Sequence, residues 1–379
     1  MVFPPVREEL RGIEPYGAPQ HPLDLVPVQL NTNENPYGPS QACAADIAAA
    51  AGAAAASLNR YPDREHVELR TALAAYLARD TPHRITPEQV WAANGSNEVM
   101  LQLLQAFGGP GRTAVSFAPT YSMYPEYARD THTRWVAGRR ADDFGLDLEA
   151  ARELVEAEQP HVVFLPSPNN PTGTALAPEA IGALCELVGE RGIVVVDEAY
   201  GEFRRAGSAS ALELLPLHRN LVVTRTMSKA FAAAGLRLGY LAADPAIADA
   251  VRVVRLPYHL SSITQAVALA ALRHAPELLA AVDSLRSERD AAVTWLRDLG
   301  LDVADSDANF VLFGTFADRR AVWEGLLALG VLIRETGPEG WLRVSIGTAD
   351  EMAAFRQALS TVIQDATQDS STDSSKEQS

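Results

Sequence analysis

Short apolar runs alternate with longer stretches of helical apolar spacing through the middle of this chain, and that alternation limits its fold more than any other feature. The runs TAVSF (113–117), HVVFL (161–165), GIVVVDEAY (192–200), LVVTRTMS (221–228) and LRLGYLAA (236–243) read as buried strands. NEVMLQLLQAF (97–107) and APEAIGALCELVGERG (177–192) read as amphipathic helices between them. This order predicts an α/β fold: a mostly parallel sheet with helices on both faces, binding its ligand outside the carboxyl ends of the strands. From about Pro276 the pattern changes to a long helix rich in arginine and glutamate, then DANFVLF, VWEGLLALGVLIR and WLRVSIGT, which predicts a smaller α+β unit.

The stretch TRTMSKAFAAAGLRLGY, Thr224 to Tyr240, holds a lysine that the composition makes conspicuous. Of 32 lysines and arginines only Lys229 and Lys376 are lysines, and Lys376 lies in a polar tail. A guanidinium stays protonated, whereas a primary amine can lose its proton and attack a carbonyl, so Lys229 is a candidate for Schiff-base chemistry. The alternative is a residual lysine in an arginine-biased chain.

At 379 residues, 47% apolar and 21% charged, the chain has the composition of an ordinary globular protein large enough for two domains. A formal charge of −16 argues against nucleic-acid and anionic-membrane partners, which need a basic surface. No apolar run is long enough to cross a bilayer and MVFPPVREELRG lacks a basic start and an apolar signal core, so a cytoplasmic protein is expected. Cys43 and Cys185 have no thiol or histidine at metal spacing, so neither a disulfide nor a metal site is expected. AADIAAAAGAAAASL reads as helix, the proline-rich first thirty residues as an arm over the surface of the body or of a partner subunit, and ATQDSSTDSSKEQS from Ala366 as disordered.

Four further segments carry chemistry. Asp197 directly follows the run Ile193 to Val196, at a strand end where a carboxylate needs a cation, although it could simply cap the turn EAYGEF. Tyr200 can turn toward the same crevice. PSPNNPTG is a rigid turn at the end of HVVFL that offers the amides of Asn169 and Asn170 to a ligand oxygen. ANGSNEVMLQLLQAF runs from a small-residue loop into a helix whose first N–H groups, with Gly95 and Ser96, could face an anion; an ordinary serine-capped helix is the alternative. Thr226, Ser228 and Arg237 surround Lys229 as a second anion-facing group, unless Arg237 is only a strand-end arginine in a surface ion pair. A phosphorylated aromatic aldehyde needs all of these: an amine, an anion for a ring nitrogen, donors to a phenolic oxygen and a phosphate cup. Pyridoxal 5'-phosphate meets each requirement.

The motifs LNTNENPYGPS, NRYPD, PNNPTG, VVVDEAYGEF and TMSKAFAAAGLRLGY, in this order, resemble the fold type I pyridoxal-phosphate aminotransferases, and specifically the histidinol-phosphate aminotransferases, to about residue 363. WAANGSNE, RLPYHLSS and SDANFVLFG are similar to segments of actinobacterial members. The resemblance implies that Lys229 is the catalytic amine, that Asp197 pairs with the pyridine nitrogen, and that Asn170 and Tyr200 bond the ring oxygen. It implies that Tyr121 stacks on the ring, that Gly95, Ser96, Thr226, Ser228 and Arg237 hold the phosphate, and that Asn97 is a further cofactor contact. Tyr61 of NRYPD matches a tyrosine that reaches the phosphate from a second subunit, which implies a homodimer with shared sites. Arg343 matches the arginine that grips the substrate anion, with Tyr16, Asn33 and Arg334 as further contacts.

The implied organisation is an arm and part of the small domain in 1–44, a large cofactor-binding domain in 45–265, a small domain in 266–365 and a tail in 366–379. The implied reaction passes an amino group from glutamate to imidazole-acetol phosphate, a step of histidine biosynthesis, alternating both substrates through one site. An aromatic amino-acid aminotransferase and a threonine-phosphate decarboxylase share the framework and are the alternatives. A cofactor-sensing transcriptional regulator would need a basic DNA-binding helix before these motifs.

Overall fold

The computed structural model describes residues 6–14, 17 and 25–376, with 366–376 described by backbone alone; Tyr16 lies outside the described residues. The apolar runs form the centre of one sheet: β2 (Val90–Ala93), β3 (Thr113–Ala118), β4 (Arg134–Arg139), β5 (Val162–Pro166), β6 (Ile193–Asp197), β7 (Leu221–Thr226) and β8 (Gly239–Ala243), in the order β2-β8-β7-β6-β5-β3-β4. From β4 to β7 every pairing is parallel, and β8 runs antiparallel to both β7 and β2. Strands β5, β6 and β7 are buried along their whole length, which accounts for the unbroken apolar runs Val162 to Leu165 and Ile193 to Val196, while the Thr224, Arg225 and Thr226 side chains of β7 are met by buried polar partners. The two end strands were not expected from the pattern. β4 reads RWVAGR, with half its side chains toward solvent, and so lacks a continuous apolar signature.

Alternate residues along each strand enter opposite cores. Val163, Leu165, Val194, Val196 and Val223 pack with α5 (Leu148–Glu158) and α6 (Pro178–Val188) through Val155, Ile181 and Leu184. Phe164, Val195, Val222 and Trp91 pack on the other face with α3 (Ser96–Phe107), α4 (Tyr124–Asp130) and α7 (Pro245–Val254) through Leu103, Tyr124 and Val251. Helices on both faces leave only the strand ends open.

Two further layers complete the chain. α1 (Gln41–Ala55) starts where Ser40 accepts a hydrogen bond from Cys43 N; it packs on α8 (Ser262–Arg273), which also meets α2 (Val67–Leu77). α9 (Ala275–Asp298) is the long helix expected after Pro276 and leads to an antiparallel sheet of β9 (Asp302–Val303), β10 (Phe310–Gly314) and β12 (Leu342–Ser345). β1 (Val28–Gln29) pairs with β11 (Val331–Leu332), so the N-terminal segment is tied into the C-terminal part across some 300 residues. α10 (Arg319–Ala328) and α11 (Ala349–Lys376) close this part. α11 enters the stretch expected to be disordered. Its first turns are anchored by Met352, Phe355 and Leu359, and extending an existing helix is far easier than starting one.

Candidate active site

Strand periodicity sorts the polar side chains at the carboxyl edge of the sheet into two environments. Asp197 ends β6 facing a cavity of about 720 Å3, while Glu198, the next residue, points away into a buried ionic cluster. Thr224 and Thr226 on β7 face the same side as Asp197, and Arg225 between them reaches Glu198 at 2.7 Å and Asp80 at 2.6 Å. Ser210 and Arg204 complete the Glu198 shell. Although burial opposes its charge, Arg204 and Arg225 hold Glu198 at a pKa of about 2.

The Asp197 carboxylate is 7% exposed and makes no ion pair among the described residues. It accepts hydrogen bonds from Tyr124 Oη at 2.8 Å, Thr224 Oγ1 at 3.2 Å and Ala199 N at 3.2 Å. It therefore does cap the following turn, as the simpler reading had it, and also keeps oxygen surface in the cavity. Burial raises its pKa, the three hydrogen bonds oppose that rise, and Glu198 adds to it. A buried carboxylate supported only by neutral donors is suited to a cationic partner supplied by a ligand.

Lys229 stands three residues past the end of β7. Its Nζ donates to Thr32 O at 3.1 Å, and its pKa falls to about 8 through burial, then Arg343, with Glu34 opposing and Arg237 adding to the fall. An amine so placed is far easier to deprotonate than a lysine in water.

Beside it, Thr226 Oγ1 donates to Ser228 Oγ at 2.9 Å, and Arg237 reaches Ser228 Oγ at 3.5 Å and Ala234 O at 3.1 Å. Arg237 forms no ion pair among the described residues. α3 begins here without a side-chain cap: its N-cap is Gly95 at φ 84°, and Ser96 and Asn97 line the cavity. The serine-capped alternative is thus not what the fold builds, and the first N–H groups of α3 face the cavity. Two glycines permit the approach. A Cβ on Gly95 would sit 2.7 Å from Arg237 Nη2, and one on Gly239 would collide with Ser96 N and lie 2.6 Å from Ser96 Cα.

The opposite wall comes from the small part and the N-terminal segment. Arg343 donates to Asn170 Oδ1 at 2.6 Å and Asn31 O at 2.8 Å, its guanidinium 5.1 Å from the Phe310 ring centroid. Arg334 and Arg343 exchange backbone hydrogen bonds, which sets both side chains on this wall, and Arg334 Nη1 is shielded from solvent without a described partner. Asn33 donates to Tyr200 Oη at 3.0 Å and accepts from Ser345 Oγ at 2.8 Å. Tyr121 Oη donates to Asn97 Oδ1 at 3.4 Å, and its ring meets Tyr124 edge-on.

Of the expected site residues, Lys229, Ser96, Asn97, Tyr121, Asn170, Asp197, Tyr200, Thr226, Ser228, Arg237, Asn33, Arg334 and Arg343 line this one cavity, with Gly95 behind Ser96. Asn169 does not; it is fully buried and holds the PNNPTG turn through Pro119 O and Thr172 Oγ1. Tyr61 does not either: it is 80% exposed and stacks on Tyr258 with ring centroids 4.4 Å apart. Sequence reasoning missed Tyr124, Thr224 and Asn309, whose Nδ2 donates to Asn33 O at 3.0 Å. Thr224 carried a signal, since it is two residues from Thr226 on the same strand face.

A mostly parallel sheet presenting an amine, a buried carboxylate and an anion cup at its strand ends, faced by paired arginines from the small part, defines an aminotransferase framework. The family model for aminotransferase class I and II matches residues 26–359, and the chain belongs to that family. It is 60% identical to a histidinol-phosphate aminotransferase of Thermobifida fusca (strain YX), over 94% of this chain and 95% of that protein. It is 58% identical to another from Frankia casuarinae, over 94% and 89%. The solved structure of histidinol-phosphate aminotransferase from Sinorhizobium meliloti in complex with pyridoxal-5'-phosphate is similar at a TM-score of 0.83 and 26% identity, covering 96% of this chain and 99% of that one.

Proposed function

We propose that this chain is a histidinol-phosphate aminotransferase, moving an amino group from glutamate to imidazole-acetol phosphate to give histidinol phosphate and 2-oxoglutarate. The observation that carries the reading is one cavity lined by Lys229, with a pKa of about 8, by the Asp197 carboxylate and by Arg334 and Arg343. The residues fit pyridoxal 5'-phosphate, because the uncapped N-terminus of α3, Thr226, Ser228 and Arg237 form an anion cup at one end of a space whose floor is a buried carboxylate. Bound there, the cofactor supplies an aldehyde and an electron sink for charge developing on the substrate carbon.

The chain's own residues supply the rest. Asp197, its carboxylate held by Tyr124 and Thr224, would pair with the ring nitrogen and favour its protonated form. Asn170 and Tyr200 would bond the ring oxygen, and Tyr121 would stack on the ring. Lys229 would hold the aldehyde of the cofactor and would be the amine placed to move a proton at the substrate carbon; burial and the nearby Arg343 lower its pKa to about 8, which eases its deprotonation. Arg343 grips the anion next to the reacting carbon, a carboxylate in one substrate and a phosphate ester in the other, since a guanidinium bonds either in bidentate fashion. Arg334 and Asn33 add donors that a phosphate can use more fully than a carboxylate.

A homodimer belongs to this reading. Tyr61 does not line its own cavity, and exposed Leu58, Val67, Val253 and Leu256 offer apolar surface for a second copy. Two buried free thiols are consistent with a reducing, cytoplasmic setting, and no described helix is long and apolar enough to cross a membrane. The test is one half-reaction: cofactor-loaded protein mixed with histidinol phosphate or with phenylalanine, following the absorbance of the bound aldehyde. Conversion by histidinol phosphate at far lower concentration is expected; preference for phenylalanine would move the enzyme to the aromatic group, and carbon dioxide release from threonine phosphate to the decarboxylases.

A further inference from the structure

Four arginines line the cavity, and three are held by protein groups: Arg237 by Ser228 and Ala234, Arg334 by Gly17 O, Arg343 by Asn170 and Asn31. The Arg139 side chain makes no hydrogen bond or ion pair with any described residue. It is the last residue of β4, exposed, and in register with Ala118, from which the chain turns toward Tyr121.

The strand order arranges the cavity's charges in sequence. Arg237 and Thr226 stand on the β8 and β7 side, Asp197 on β6, Asn170 beyond β5, Ala118 on β3 and Arg139 on β4. With strands about 4.8 Å apart, three steps put the Arg139 backbone about 14 Å from Asp197, on the side away from the phosphate cup. The small part closes over the same end: Phe144, just past β4, meets Trp341 with ring centroids 5.0 Å apart, and Thr336, Gly337 and Pro338 line the cavity beyond Arg334.

Resting on the function proposed above, we infer that Arg139 binds the distal carboxylate of glutamate and of 2-oxoglutarate. Both substrates of the amino exchange carry an anion beside the reacting carbon, which Arg343 serves. They differ farther out, where glutamate ends in a second carboxylate and histidinol phosphate in an imidazole. A buried, fixed cation at that point would oppose the imidazole once protonated. An exposed arginine with no partner among the described residues turns toward a carboxylate when one is present and into water when it is not.

The test uses cofactor-loaded protein with Arg139→Gln and Arg139→Lys. Calorimetric titration with glutarate and with butyrate, neither of which has an amino group to transfer, isolates the second carboxylate. In Arg139→Gln the preference for glutarate over butyrate is expected to fall about five-fold, the scale of a solvent-accessible ion pair, with most of it restored by lysine. The kcat/KM for glutamate should fall by a similar factor relative to that for histidinol phosphate. An unchanged glutarate-to-butyrate ratio, or a loss shared equally by both substrates, would overturn the inference. A wild-type enzyme inert toward histidinol phosphate would instead refute the proposed function, and the glutarate-to-butyrate ratio would still report on Arg139.

Discussion

Tyr124 does not line the cavity and acts on it through Asp197, and replacing it with phenylalanine isolates that relay. The hydroxyl donates to Asp197 Oδ2 at 2.8 Å in a buried setting, while the ring stacks on Phe164 with centroids 4.6 Å apart at 7°. Phenylalanine keeps the stack and deletes only the donor. A hydrogen bond to a charged group contributes about 1.5–3 kcal/mol, and because Thr224 and Ala199 still serve the other oxygen we take the lower end, about ten-fold in the balance between carboxylate and carboxylic acid. Burial already raises the pKa of Asp197, and the variant raises it further. Less of the protein is then ionised and able to receive a protonated ring nitrogen, an effect that grows as pH falls and vanishes well above the pKa. Cofactor affinity of the stripped protein, titrated across a pH series, should therefore weaken about ten-fold on the acid side and recover on the alkaline side. The double variant Tyr124→Phe with Asp197→Asn should lose no more than Asp197→Asn alone. A pH-independent loss, or losses that add in the double variant, would refute the relay.

Other outcomes follow from the same geometry. Binding of an aldehyde by Lys229 in the stripped protein requires the neutral amine, so its rate should rise with pH through about 8; Arg343→Gln removes a nearby cation and should move that rise to higher pH, and stopped-flow absorbance reads both. Gly239→Ala puts a methyl group against the backbone of Ser96, where overpacking costs about 1–3 kcal/mol; the expected result is a larger loss of affinity for the cofactor than for its dephosphorylated form. Glu198→Gln leaves Arg225 and Arg204 short of charge and should destabilise the fold by about 3–5 kcal/mol in denaturant melts. In the wild type the Glu198 pKa is depressed from 4.5 to about 2, so the stability this group contributes is present above the unfolded value and is lost as pH falls through the folded one.

What the chain's own order determined is the sheet and the chemistry at its strand ends. Val162 to Leu165 and Ile193 to Val196 are apolar without interruption because strands covered on both faces have no polar side, and that pattern is local enough to read directly. Lys229 stood out because a nearly lysine-free chain keeps it beside hydroxyls and glycines. The assignment of Tyr61 to a second subunit came from resemblance, as nothing in NRYPD itself indicates where its ring lies.

The tertiary structure alone decided which neighbours share a site. Asn169 and Asn170 are adjacent amides, yet one holds its own turn and the other meets Arg343, because the turn buries the first and leaves the second at the strand end. Tyr124 and Asp197 are separated by 73 residues and Asn33 and Ser345 by 312, contacts that no local pattern encodes. β4 and the α3 N-terminus were likewise beyond reach: an edge strand half open to water has no apolar signature, and a helix start tells a cap from an anion cup only when the opposing chain is in place. Periodicity is a property of neighbours in sequence, whereas a site is a property of strand ends brought together by packing.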